Sequence, residues 1–560
     1  MVNVDTPVLV VGAGPSGLTL ANELARHGVT VRIIDRAPAP ATTSRALVVQ
    51  PRSLEIFEDM EVIDDVLAVG GKAPGINVMF ANDKSVRLEL DDLLNDPANY
   101  TTYQSLFTLS QDDTERILTK KLEERGVRVE RGLTMTDLAA GEGHMIVSVR
   151  AADGTTRAIR CAWVIGCDGA HSAVREAAGI PFEGTTYPDE FIMADAELDW
   201  DLPDGDIYAF PSRAGFIAAF AMPGEHRFRI FGNVKAGPEG PGPEYSEPTH
   251  EEFQAMVDER MPLPATVVRE HWVSRYRLHR RVAPRYREGR VFLVGDAAHV
   301  HSPAGAQGMN TGIQDAYNLA WKLALVANGI AGEPLLDSYQ AERHPVGKRL
   351  LTTTDRLFAV ISGQSATATF LRAHLAPQIV SRVLARHSIR TWLVGTLAQL
   401  RVAYPASPLN HEDGSGWKAA PAPGDRARQA DVLIDGEPGR LHDLLHGTRH
   451  TVLLFAGTGG ARQEAELCRV ADRIRHAYPD LVTAYVISTE RLTDHPALVG
   501  DPDRSAHDRY GLGRAAAAFV IRPDLHICYR GTPIDTGTLL AELARRLPGA
   551  APKAVDSPFA

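Results

Sequence analysis

The sequence predicts an α/β protein in which a doubly wound fold is interrupted by an antiparallel sheet and followed by a second, smaller α/β unit. Three observations predict it. A buried-strand run, Val8-Leu9-Val10-Val11, leads at once into Gly12-Ala13-Gly14-Pro15-Ser16-Gly17 and then a helix. Residues 186–234 instead hold short apolar or alternating runs that stop at turns such as Pro223-Gly224. After Pro405, Pro408, Pro421 and Pro423, a strand-helix-strand order resumes at Thr451. At 560 residues the chain is also too long for one core, and its length suggests about three or four domains.

The first unit is the firmest. Leu18, Leu20, Ala21, Leu24 and Ala25 give its helix an apolar side, and a second strand, Val29 to Ile34, ends in Asp35. Glycines turn tightly and let a pyrophosphate approach the helix N-terminus. An acid about 20 residues further on accepts a hydrogen bond from the adenosine ribose. Gly12, Gly14, Pro15, Ser16, Gly17, Asp35 and Arg36 are therefore candidate cofactor-binding residues. The acid disfavours a 2′-phosphate, which points to FAD or NAD rather than NADP here. Arg45 and Arg52 flank the next apolar segment; either could be a surface charge, with Arg45 the better placed for cofactor contact. Ser110 reads as the N-cap of a helix through Ile117, Leu118 and Leu122. Gln111 is either a polar first-turn residue or a cofactor contact. The apolar run Cys161 to Ile165 ends in Gly166-Cys167-Asp168-Gly169, then Ser172 and Arg175. Asp168 thus stands where α/β proteins place ligand-binding groups, although an ordinary strand-to-helix turn reads the same way.

Phe191–Leu198, Gly215–Met222 and Phe228–Phe231 read as antiparallel strands, with a Pro/Gly-rich surface loop over 236–243. Such a sheet suits a substrate cover. Tyr208, Phe210 and Phe220 are the candidate pocket residues, while most aromatics at this spacing are expected to be core.

The strand run Val291–Val294 leads into Gly295-Asp296-Ala297-Ala298-His299, then Pro303, Gly305, Gly308, Met309, Asn310 and a helix from about Ile313. Helix N-termini offer unpaired N–H donors and partial positive charge. Glycines allow a flat ligand to approach the main chain. This stretch is expected to hold a flavin ring. His299 and His301 lie near it, but a structural hydrogen bond explains an isolated histidine more readily than a catalytic base.

Composition sets limits. With 59 basic against 70 acidic residues, the formal charge is −11 and the sequence pI about 6.0, which does not suggest a nucleic-acid surface. The four cysteines, Cys161, Cys167, Cys468 and Cys528, show no CxxC spacing and read as core thiols. No signal peptide is evident and no apolar run approaches the roughly 20 residues of a membrane helix. A cytoplasmic protein without membrane contact is the expectation.

With these residues laid out, the chain resembles the single-component FAD-dependent aromatic hydroxylases of the para-hydroxybenzoate hydroxylase fold, and looks closest to the phenol and aromatic polyketide hydroxylase branch. Gly12–Gly17, Cys167-Asp168-Gly169 and Gly295-Asp296 with Pro303 and the Gly305–Gly312 loop carry the match. The resemblance implies a discontinuous FAD-binding Rossmann-like domain (1–75, 101–182 and 279–400). It also implies an antiparallel-sheet substrate domain (76–100 and 183–278), a linker (401–420) and a thioredoxin-like domain without CxxC (421–560). It implies that Asp35 binds the ribose, that Arg45 and Gln111 contact FAD, and that Asp168 lies near the pyrophosphate. Asp296 would hold the ribityl chain, and Gly305 to Asn310 would face the ring. Ala306 stands where many relatives have glycine. The implied reaction is hydroxylation of a phenolic or polycyclic aromatic substrate by O2 through a flavin hydroperoxide, with NAD(P)H bound transiently. Baeyer–Villiger or antibiotic-inactivating oxygenation, or flavin binding without turnover, are the alternatives. A homodimer is the expected assembly, and no catalytic residue or metal is assigned.

Overall fold

The computed structural model describes residues 4–41, 46–80, 85–212, 214–234, 247–301, 306–362, 386–417, 419–458, 460–490 and 494–550. The chain divides into two compact units. The first comprises Met1–Ala25, Thr30–Ala316 and His344–Leu400; the second comprises Arg26–Val29, Tyr317–Arg343 and Arg401–Ala560.

In the first unit, five parallel strands lie in the order Val291–Leu293, Thr156–Gly166, Thr6–Val11, Val31–Asp35 and Val129–Arg131. Their near-continuous apolar runs follow from burial on both faces of a parallel sheet. Helix Pro15–Arg26 buries Leu18, Leu20, Ala21 and Leu24 of the predicted apolar side, leaves Ala25 half-buried, and buries Thr19, Asn22 and Glu23 as well. In register, Val11 pairs with Gly166 and Gly166 with Leu293. The three motif-bearing turns therefore leave the carboxyl ends of three neighbouring strands.

A second sheet of eight mostly antiparallel strands has as its centre Thr266–Val282, Glu183–Asp199, Arg227–Val234, Phe216–Ala221 and Ile207–Pro211. Gly75–Met79 and Ser85–Glu89 extend it. One face buries Trp200, Tyr208, Phe210 and Phe228 against Phe253, Met256 and Val257 of helix His250–Arg260. That helix starts on a Thr249–Glu252 capping box. The other face clusters Phe191, Met193, Phe216, Phe231, Tyr276 and Leu278. The Pro/Gly-rich stretch 236–243 lies outside the described residues.

The second unit opens on the anticipated strand, helix and strand, His450–Phe455, Gly460–Ala477 and Val482–Ser488, and continues with short helix Ser505–Arg509, strands Ala517–Ile521 and Ile527–Thr532, and helix Thr536–Arg546. Two differences from the sequence reading stand out. Within 401–420, expected as a linker, strand His411–Gly414 pairs in parallel with Tyr529–Thr532. Tyr317–Arg343, assigned by sequence to the cofactor domain, belongs to this unit, and Trp321 and Leu325 pack into its core with Val452 and Leu454. The same core holds a charged network. Lys322 Nζ lies 2.6 Å from Glu342 Oε2, and Arg522 donates to Glu342 Oε1 at 2.6 Å and to Asp524 Oδ2 at 2.6 Å. All four side chains are at most 2% exposed. Burial pushes Lys322 down to about 8. Burial also pushes Glu342 up, but Arg522 and Lys322 outweigh it and hold the carboxyl at about 2.

Among the described residues, no helix is long and apolar enough to cross a membrane, and no group of His, Cys, Asp and Glu is placed to hold a metal.

Candidate cofactor site

The site begins where the first strand stops. Gly12 has φ +104°, and a Cβ there would lie 2.3 Å from the Cys167 carbonyl oxygen. A Cβ on Gly17 would lie 2.0 Å from the Gly12 carbonyl oxygen. These two glycines are demanded by the chain's own packing. Gly14 differs: a Cβ there would meet only Glu115 Oε1, at 4.0 Å. The open side of this turn, beside the N–H groups that begin a helix, is the space a pyrophosphate would use. Asp35 accepts from Ala13 N and from Ala37 N, both at 2.7 Å, one bond on each oxygen. A carboxylate has about four acceptor positions, so capacity remains for ribose hydroxyls. Arg36 is exposed beside it.

Gln111 opens helix Gln111–Glu124, and Ser110 caps it by accepting from Asp113 N. The Gln111 amide donates to Glu115 Oε1 at 2.8 Å. Burial pushes the Glu115 carboxyl above its ordinary range, and the charge of Asp35 adds to this, against the Gln111 bond. Glu115 is a site-lining acid that sequence reasoning missed. Its one signal was the four-residue step from Gln111, which puts both on one helix face.

Asp168 uses its carboxylate within its own turn, accepting from Ser172 Oγ at 2.5 Å and Val174 N at 3.2 Å. Burial pushes its pKa up against those bonds. From the following helix, Arg175 donates to the Ala170 and Ala297 carbonyls, which ties this turn to the one at Gly295.

That third turn is packed tightly. Gly295 has φ +61°, and Cβ atoms on Gly295 and Gly312 would lie 2.6 and 2.3 Å from Ser16 Oγ. Ser16 thus wedges between the Gly295 turn and the start of helix Gly308–Ala327, bringing two helix N-termini together. His299 Nε2 lies 2.7 Å from Asp315 Oδ2, the same oxygen that accepts from Gly295 N, and both side chains are 1% exposed. His299 therefore holds the turn; the geometry gives it no access to a substrate proton. Asp296 is exposed between buried Gly295 and Ala297, while Gly308 and Met309 are partly exposed at the helix start. Ala306 adopts φ +52°, the left-handed region that favours glycine. Arg45, Pro303 and Gly305 lie outside the described residues.

Asn310 spends its side chain on the backbone: Oδ1 accepts from Gln50 N at 2.8 Å, and Nδ2 donates to Val48 O at 2.8 Å and Ala306 O at 3.1 Å. The strap 46–50 is also held at its other end. The Ala46 carbonyl accepts from Gln111 N at 3.1 Å and from Arg229 Nη1 at 3.0 Å. Arg229 in turn makes a two-bond pair with Asp195 across neighbouring strands, at 2.6 and 2.7 Å. We expect Asn310→Ala, which leaves the buried Gln50 N–H and Val48 C=O short of a partner, to cost about 1–3 kcal/mol in thermal unfolding of the holoprotein. An unchanged midpoint would remove the strap from this account.

The pocket candidates separate by face. Tyr208 and Phe210 sit in the core beneath helix His250–Arg260, and the Tyr208 hydroxyl donates to Pro203 O at 2.7 Å. Strand alternation turns them away from the strap. Phe220 alone of the three points to the strap side, packing with Val48 and Ala306 in one cluster.

Three adjacent strand ends, an acid on the second strand and two converging helix N-termini define a dinucleotide-binding flavoprotein, and FAD fits the residues present. Gly12–Gly17 and Asp35 would hold its ADP half, and Asp296 with the start of helix Gly308–Ala327 its ribityl and ring half. Comparison with known proteins gives the family. A model described as an FAD binding domain matches residues 5–354, over half of the chain, and the chain belongs to that family, as a flavin-dependent monooxygenase. The 6-methylpretetramide 4-monooxygenase of Streptomyces rimosus is 36% identical over 550 residues, covering 96% of this chain and 92% of that protein. The pentachlorophenol 4-monooxygenase of Sphingobium chlorophenolicum is 33% identical over 546 residues, covering 96% of each. Among solved structures, the anhydrotetracycline hydroxylase of Streptomyces rimosus matches with a TM-score of 0.75 at 29% identity, over 98% of this chain and 100% of that one.

Proposed function

We propose that this monooxygenase hydroxylates a phenolic or polycyclic, polyketide-like aromatic compound at the expense of NAD(P)H. The observation that carries the reading is the placement of the Gly12, Asp168 and Asp296 turns on neighbouring strand ends, together with an aromatic sheet whose Arg229 and Phe220 reach Ala46, Val48 and Ala306. When bound, FAD would accept a hydride from the nicotinamide and activate O2, so that one oxygen enters the ring and the other leaves as water. The chain's share is orientation and exclusion of water. Asp35 and Asp296 would fix the two ends of the cofactor. The N-terminus of helix Gly308–Ala327 would favour negative charge at the ring edge. The aromatic sheet face would keep the substrate side dry. The relatives act on a pretetramide and on pentachlorophenol by name, which supports a flat aromatic substrate.

The test is a panel of phenols and polycyclic aromatics, scored for stimulated NADH or NADPH oxidation and for a product heavier by one oxygen atom. Flavin that neither nicotinamide reduces, with any compound, would refute the proposal. Asp296→Ala is expected to purify largely without flavin; full, tightly held flavin in that variant would withdraw the ribityl assignment. A homodimer in the cytoplasm is part of the same proposal. The four free thiols suit a reducing compartment, and sedimentation of the holoprotein reads the assembly.

A further inference from the structure

We propose that the second unit carries a binding site for a planar aromatic anion, in the cleft bordered by Arg449, Arg475 and Tyr485. The cleft holds about 440 Å3, within the roughly 300–1,000 Å3 of small-molecule sites. Its floor is apolar: Ile434 and Leu444 line it, and with Tyr485 they pack on the buried cluster that includes Val432, Leu441 and Phe519. The Arg475 guanidinium stands 5.3 Å from the Tyr485 ring centroid, so cation and ring already form one platform. Arg449 offers only a 3.5 Å bond to the Pro479 carbonyl, at the limit of hydrogen bonding. The chain carries 70 acids, and nearby Arg440 has its own carboxylate, Asp443. Among the described residues, neither Arg449 nor Arg475 has an acidic partner.

Two guanidinium groups on one cleft repel each other unless an anion lies between them, and a guanidinium fork matches a carboxylate or phenolate oxygen. An aromatic ring bearing that oxygen would lie on the Arg475–Tyr485 platform and cover the apolar floor. The acid at the rim, Asp435, is there for the chain. With φ +52° and Gly436 at φ +89°, it forms the two-residue turn between strands Asp431–Ile434 and Glu437–Arg440. Asparagine serves that turn equally well and removes a charge that opposes the ligand.

The test titrates FAD-loaded full-length protein with 2-naphthoate by calorimetry. The expected result is a saturable site that weakens at least about ten-fold in the Arg449→Gln/Arg475→Gln double variant and tightens in Asp435→Asn. Neutral 2-naphthamide should leave it empty. Any site that survives the double variant belongs to the substrate face, which separates the two assignments. Superimposable isotherms for wild type and double variant would overturn the proposal. Equal binding of 2-naphthamide, or of inorganic sulfate, would overturn its aromatic-anion chemistry. If the double variant does not fold, Arg449→Gln alone, on an exposed side chain, gives the same reading with a smaller loss.

Discussion

Gly17→Ala will lose FAD and stability together, whereas Gly14→Ala will lose FAD and keep its stability. The contrast follows from two neighbouring glycines with different surroundings. A methyl group at Gly17 falls 2.0 Å from the Gly12 carbonyl oxygen, so the turn must open before the helix can start. Overpacking of this kind costs about 1–3 kcal/mol. A methyl group at Gly14 meets nothing in the chain closer than 4.0 Å, so only an incoming pyrophosphate would feel it. Flavin absorbance per protein and the thermal midpoint of the apoprotein check both. If Gly14→Ala retains flavin as wild type does, the open side of the turn is not where the cofactor lies, and the ADP half must be sought elsewhere.

Arg522→Met will be the most destabilising single change in the second unit. It leaves Glu342 and Asp524 buried with one remaining network cation, Lys322, and removing one partner from a buried pair costs about 3–5 kcal/mol. Hydrogen-exchange protection of strand Ala517–Ile521 reads the loss. Acid provides the sign test. In the wild type, Glu342 is held at about 2 and Asp524 well below its ordinary value, by Arg522 against the opposing push of burial. A depressed carboxyl contributes stability above its unfolded value that is lost as pH falls through the folded one. The wild-type unit should therefore weaken below about pH 4.5. Without Arg522, only His526 and Lys322 oppose the push of burial on Asp524, and its carboxyl rises. Protonation then relieves the fold, and the deficit of the variant should shrink as pH falls from neutral towards 4.5. A deficit that grows on acidification would show that Arg522 does not hold these carboxyls down.

How much of this was legible in the sequence depends on how local each signal is. Gly12–Gly17 with Asp35 was readable because strand, turn, helix and acid follow one another within a single supersecondary unit. The strand-helix order after Thr451 was readable for the same reason, through buried runs such as Thr451–Phe455. Strand Thr266–Val282 escaped notice. Its buried alternation is confined to Tyr276 and Leu278 between arginines, and what holds its length is a backbone ladder along Glu183–Asp199 with three register shifts. The Asp195–Arg229 pair and the grip of Asn310 on residues 48 and 50 depend on cross-strand register and on contacts some 260 residues apart in sequence. No local pattern encodes them. The sequence left the role of His299 open and could not name Asp315 as its partner, because that bond forms only when the turn folds back on the helix.

The assignment of Tyr317–Arg343 to the C-terminal unit bears on how such proteins can be recombined. A cut after Leu400 would strip Trp321 and Leu325 of their apolar cover and leave Lys322 and Glu342 without Arg522. The second unit is therefore not a detachable cassette, although its strand order resembles one. In a chimaera between relatives, the exchangeable block is discontinuous: residues 317–343 must travel with 401–560. Inheritance should follow the same rule, with substitutions at Lys322 or Glu342 tolerated only where Arg522 and Asp524 change with them.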